Sequence, residues 1–164
     1  MSSQLHGKGH HHKIPRNYCF GCGVDNKEGM RLKFVYDKDR HSMVARIRLR
    51  SRFTGPPGHA HGGVIATVLD EAMGKVMKIH NVIALTSRME VQFLKPVPLH
   101  ATLIAEGRPR AHRGRRYWAL AEIRNQNGDV LARSKGVFVA IDPMAKFGKH
   151  LKKMLKKVGN SFKD

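Results

Sequence analysis

Apolar residues recur at Val64, Ile65, Val68, Leu69, Ala72, Met73, Val76 and Met77, the spacing of a helix with a wide apolar arc. At about 100° per residue, only Thr67, Glu71, Gly74, Lys75 and Lys78 share a narrow polar stripe, and Asp70 sits on its border beside Ala66, Met73 and Met77. The pattern predicts one long and mostly buried helix. Pro56 and Pro57 disfavour helix just before it, and Gly62-Gly63 lets backbone come close to another group at its start. Elsewhere the period is two. Leu32, Phe34 and Tyr36 alternate across 31–36, Asp37-Lys38-Asp39-Arg40 supplies a turn, and 43–50 alternates again, so a β-hairpin is predicted ahead of the helix. Within it Ile47 and Leu49 oppose Arg46, Arg48 and Arg50, which gives one wet, cationic face. Strands are predicted after the helix over 82–94, 101–106, 117–125 and 130–141, with Pro96 and Pro98 breaking the pattern and Asn127-Gly128 or Gly128-Asp129 forming a tight turn. A single helix cannot stand alone as a layer, so the sheet must curl around it. The expected class is α+β, with about six antiparallel strands around one central helix.

Composition changes this picture only at the ends. The 164 residues suit one domain with a core that needs no disulfide staples. Residues 1–16, with His6, His10, His11 and His12 among Gly and Lys, read as a flexible arm; 17–142 read as the domain; 143–164 read as a cationic amphipathic helix. In that last segment Phe147, Leu151, Met154, Leu155 and Val158 share a face opposite six lysines, which suits packing on the domain, an anionic membrane surface or an acidic partner. No apolar run is long enough to span a bilayer and no apolar export segment is evident, so a cytoplasmic location is expected. The net charge of +19 implies attraction to a polyanion: nucleic acid, anionic membrane or a phosphate-bearing substrate.

Three groups carry candidate chemistry. A helix N-terminus leaves N–H groups unpaired, so Gly62 and Gly63 are placed to offer donors to an anion or a polarised carbonyl, while Asp70, against apolar neighbours two turns on, is placed to act as nucleophile or general base. Cys19-Phe20-Gly21-Cys22 has the spacing of half a zinc knuckle or of a redox pair, but the sequence offers no second pair of thiols, and packing beside the site is the reading it favours. Arg108-Pro109-Arg110-Ala111-His112-Arg113-Gly114-Arg115-Arg116 holds five arginines in nine residues; a loop of this kind, with Arg113, Arg115 and Arg116 at its tip, is suited to clamping phosphates.

The run His61-Gly62-Gly63 with Asp70 following, Leu69 before that acid and Ala72 and Gly74 after it, resembles the signature of hotdog-fold acyl-CoA thioesterases, in particular the phenylacetyl-CoA-thioesterase-like branch. The likeness continues through Tyr18-Cys19-Phe20-Gly21-Cys22-Gly23 with Asn26 and Gly29, through Leu85-Thr86 and Phe93-Leu94-Lys95-Pro96-Val97-Pro98, and through Gly114-Arg115 before Asn127-Gly128. It implies a homodimer or dimer of dimers with active sites between subunits and an acyl-CoA substrate; from the residues, no cofactor or metal is expected. By the resemblance the Gly62 amide holds the thioester oxygen, Asp70 attacks the carbonyl or activates water, His61 shapes the site, and Thr86 reaches it across the dimer. Some members carry Gln or Asn several residues before the motif histidine; Gly55-Pro56-Pro57 stands there in this chain, and His59 is the residue expected to compensate. A non-catalytic acyl-CoA-binding module is the other reading this pattern admits.

Overall fold

Alternation decides which side of each strand meets the helix. The computed structural model describes residues 16–142 together with positions 145 and 148. Its elements are β1 (Val35–Asp37), β2 (Ser42–Ile47), a 3-10 turn at Ser51–Phe53, α1 (Gly62–Val76), β3 (Ala84–Phe93), β4 (Leu103–Arg113), β5 (Arg116–Arg124) and β6 (Val130–Ala140). The six strands form one sheet in the order β1-β2-β4-β5-β6-β3, and every pairing is antiparallel. Residues of odd number on β2 and β5 turn inward: Met43, Ala45, Ile47, Ala119, Ala121 and Ile123 are all buried. They meet Ile65, Val68, Leu69, Ala72, Met73 and Val76 from α1. The curled α+β sheet around one helix that the pattern predicts is what the chain forms.

Close approach of helix to sheet depends on small residues where the two cross. Gly107 pairs with Met43 on one side and Ala121 on the other, and a Cβ on Gly107 would stand 2.1 Å from the Ala72 carbonyl oxygen. That clash is with backbone, so relief requires the helix itself to move. Gly107→Ala is therefore expected to cost roughly 3 kcal/mol, the upper end of overpacking penalties, read as a lower midpoint in urea unfolding. An unchanged midpoint would mean that the helix floats free of β4.

The structure departs from the predicted elements in two places. Residues 31–34 are not a strand, because Met30 and Leu32 direct their N–H groups to the Phe20 and Gly21 carbonyls and Arg31 adopts φ 53°; the strand begins only at Val35. The arginine-rich segment is not a loop up to residue 116. Arg108 to Arg113 continue β4, with a register shift between Pro109 and Ala111 that accommodates the missing N–H of proline. Only Gly114, at φ 56°, and its neighbours make the turn into β5. β3 is an edge strand with Leu85 and Phe93 exposed, flanked by exposed Ile83 and Leu94. The histidines of the arm and, apart from positions 145 and 148, the predicted amphipathic helix lie outside the described residues.

Candidate active site

The start of α1 is fixed from both sides. Ala60 donates to the Val97 carbonyl and His61 to the Phe53 carbonyl, each at 2.9 Å, and the bridges Thr54 to Ala60 and His59 to Pro98 hold the lead-in extended. His61 is the N-cap, at φ −64° and ψ 139°. Its ring Nδ1 accepts from the Gly63 N–H at 3.0 Å, and its carbonyl accepts from Val64 and Ile65. The Gly63 amide, a candidate donor by sequence, is thus engaged inside the cap. The Gly62 N–H has no partner among the described residues. It is the donor that the helix start leaves over, with the dipole of α1 behind it. Phe93, part of the resembling run but given no role at the site, has its ring 3.7 Å from where a Gly62 Cβ would lie and is 57% exposed; an aromatic ring thus borders the free amide.

Asp70 is half-buried on the flank of α1 that faces β3. Thr86 donates its hydroxyl to Asp70 Oδ1 at 2.7 Å, within one chain rather than from a second copy. The burial raises the Asp70 carboxyl above the ordinary aspartate range; the Thr86 hydrogen bond opposes that shift and the neighbouring Glu71 charge adds to it. A carboxylate short of solvation, with one lone pair fixed by a hydroxyl and the others free, is suited to take a proton or attack a carbonyl. Eight residues separate Gly62 from Asp70, which along an α-helix is about 12 Å. One carbonyl group cannot touch both from the same helix.

The remaining candidates divide. His59 directs Nδ1 to the Pro57 carbonyl at 2.9 Å and is half-buried at the loop. Arg113 and Arg116 are exposed at the β4–β5 turn, and Arg115 donates Nε to the Ala140 carbonyl at 3.0 Å. Thr86 pairs with Phe138, and Phe138 with Tyr117, so two strand spacings, about 10 Å, separate Thr86 from the residue after Arg116. The turn and the Asp70–Thr86 pair therefore share one end of the sheet. Arg108 does not belong with them: its guanidinium is forked onto Glu106 at 3.0 and 2.8 Å and also reaches Glu122 at 2.9 Å. That network borders a hollow of 380 Å³ lined by Glu90, Arg108, Glu122 and Lys135 among others, on the sheet face turned away from α1. It contributes nothing to a site at Asp70. The cysteines, finally, lie over the polar stripe of α1, which is covered rather than solvated.

Comparison with known proteins gives consistent matches. Residues 57–132 match the family model described as "Thioesterase superfamily". Acyl-coenzyme A thioesterase THEM4 of Xenopus laevis is 26% identical over 116 residues, covering 70% of this chain and 52% of its own. The chain spans about half the length of the curated relatives it matches. A solved thioesterase superfamily protein superposes with a TM-score of 0.70 at 27% identity, covering 75% of this chain and 60% of that one. A Streptococcus mutans protein solved with acetyl-CoA bound shares the fold with a TM-score of 0.62 at 21% identity, over 67% of this chain and 88% of that one.

Proposed function

From a chain that carries the hotdog fold of the thioesterase superfamily, with the family match over residues 57–132, we propose hydrolysis of acyl-CoA thioesters to free acid and coenzyme A. The observation that carries the reading is the half-buried Asp70 carboxylate held by Thr86 at 2.7 Å. Asp70 takes a proton from water as the water attacks the thioester carbonyl, or attacks the carbonyl itself to give an anhydride that water then opens. Either way the C–S bond breaks and coenzyme A leaves as the thiol. A developing oxyanion needs a donor, and the Gly62 N–H, unpartnered among the described residues, can supply it.

The spacing along α1 supports reading that donor as one supplied by another copy. With about 12 Å between Gly62 and Asp70, each thioester takes Asp70 and Thr86 from one protomer and Gly62, with His61 as its cap, from the next. The open β3 edge, with its exposed Leu85 and Phe93, is a surface suited to pairing the two copies. The test is release of free thiol from a panel of short, long and aromatic acyl-CoA thioesters by the full chain. Turnover of at least one above the buffer rate is expected. Saturable acyl-CoA binding with no thiol release from any of them would favour the binding-module reading instead.

Arg113, Arg115 and Arg116 are read as the phosphate clamp, since guanidinium groups meet phosphate oxygens in pairs and the register sets their turn about 10 Å from Thr86. Replacing all three with Ala is expected to raise KM for acyl-CoA about tenfold with kcat within about twofold, because phosphates are held equally in ground and transition states. Acyl-pantetheine, which lacks the nucleotide, should not distinguish the variant from the parent. Equal losses on both substrates would make the turn a structural element.

A further inference from the structure

The polar stripe of α1 is roofed by residues 17–32, and the roof sits close. A Cβ on Gly21 would stand 2.4 Å from Glu71 Cγ and Oε1. Two thiols are brought onto that carboxylate. Cys19 Sγ donates to Glu71 Oε1 at 3.5 Å, Cys22 Sγ accepts from Lys75 Nζ at 2.8 Å, and Lys75 Nζ lies 3.3 Å from Glu71 Oε2. The donor atoms of Cys19, Cys22 and Glu71 all lie within 4.8 Å of one another. We propose that Cys19, Cys22 and Glu71 form a binding site for a divalent cation of the zinc type, with water as fourth ligand, which ties the 17–32 loop to the catalytic helix.

Ligand geometry supports this. For tetrahedral zinc, with bonds of about 2.3 Å to sulfur and about 2.0 Å to oxygen, the sulfur-to-oxygen edge is about 3.5 Å. Cys19 Sγ and Glu71 Oε1 already stand at 3.5 Å. The thiols are set before any ion arrives, because the loop is braced by its own backbone. Gly23 donates to the Cys19 carbonyl at 2.9 Å, Cys19 to Asn17 Oδ1 at 3.0 Å, Asn17 to Asp25 Oδ2 at 2.7 Å, and Arg52 clamps the Gly29 carbonyl at 2.7 Å. Gly23 is required there, since a Cβ would meet the Cys19 carbonyl oxygen at 2.4 Å. Charge closes as well. Two thiolates and a carboxylate around a divalent ion leave one negative charge, which the Lys75 ammonium beside Cys22 balances as an outer partner of the ligand sulfur. Exposed Cys19 gives the ion a way in.

The test uses the reduced full chain and cobalt(II) alone as the probe. One equivalent is expected to bind with thiolate-to-cobalt charge-transfer absorption and the intense visible bands of tetrahedral cobalt. Cys19→Ser and Cys22→Ser should each remove most of the sulfur absorption, and Glu71→Gln should keep it while weakening binding by about tenfold or more. Because these variants can disturb the loop, unaltered protein provides a second reading: zinc(II) should slow alkylation of Cys19 and Cys22 by iodoacetamide, mapped by peptide mass. Cobalt bound without sulfur absorption would place it on the arm histidines alone and overturn the proposal. So would thiols that alkylate at one rate with and without zinc.

Discussion

Asp70→Asn is expected to lower kcat for acyl-CoA hydrolysis by about a hundredfold or more, the scale of lost acid–base or nucleophilic help, with KM little changed. The substitution keeps volume and leaves an amide oxygen for the Thr86 hydroxyl, which now sits 2.7 Å from Oδ1. Folding should not suffer. Burial raises the Asp70 carboxyl in the folded chain, so the ionised form opposes folding, and any stability this group contributes is present at acid pH and lost as pH rises through its raised value. A neutral Asn removes that opposition. At neutral pH the variant's melting temperature should equal or exceed the parent's while thiol release collapses. A variant that keeps near-normal turnover would remove Asp70 from the chemistry, whereas one that merely unfolds would contradict the burial argument.

How much of this was legible beforehand follows from how local each signal is. The buried arc of α1 and the alternation of β2 and β5 are short-range periodicities, and all three elements formed where they pointed, β2 ending at Ile47 rather than at residue 50. The covering of Glu71 and Lys75 was not legible, because a helical wheel sees only neighbours within the helix, while Cys19 and Cys22 lie 52 and 53 residues away. The engagement of the Gly63 amide turns on one rotamer of His61, which residue types do not fix. The strand pattern ends at Glu106 in the sequence because Gly107 and Pro109 are residues that strands disfavour; pairing with β5 out to Arg113 and Arg116 overrides it. The separation of Gly62 from Asp70 could have been counted from the sequence. Its meaning emerged only with both groups on one straight helix and the donor at its start left free.

Gly62→Pro should abolish turnover as a dead site, and mixing it with Asp70→Asn should bring activity back. Proline is suited to this position. It removes the N–H and little else, because the first helical residue has no intrahelical bond to lose and favours the φ that proline fixes. The residue before a proline must be extended, and His61 already has ψ 139°. A Cβ at Gly62 meets only the Phe93 ring, at an ordinary 3.7 Å. The amide can therefore be deleted from a folded helix, and loss of an oxyanion donor costs about a hundredfold or more in kcat. If donor and carboxylate serve the same thioester from different copies, a hybrid of one Gly62→Pro protomer and one Asp70→Asn protomer has one site lacking both groups and one site lacking neither. Random reassortment of equal amounts makes half the dimers hybrid, so about a quarter of the parent activity should return, after co-refolding or co-expression. Were both groups supplied by one chain, every site in the mixture would lack one of them and the activity would stay at the level of the separate variants. That result would keep both groups in the chemistry and overturn the sharing of one thioester between two copies.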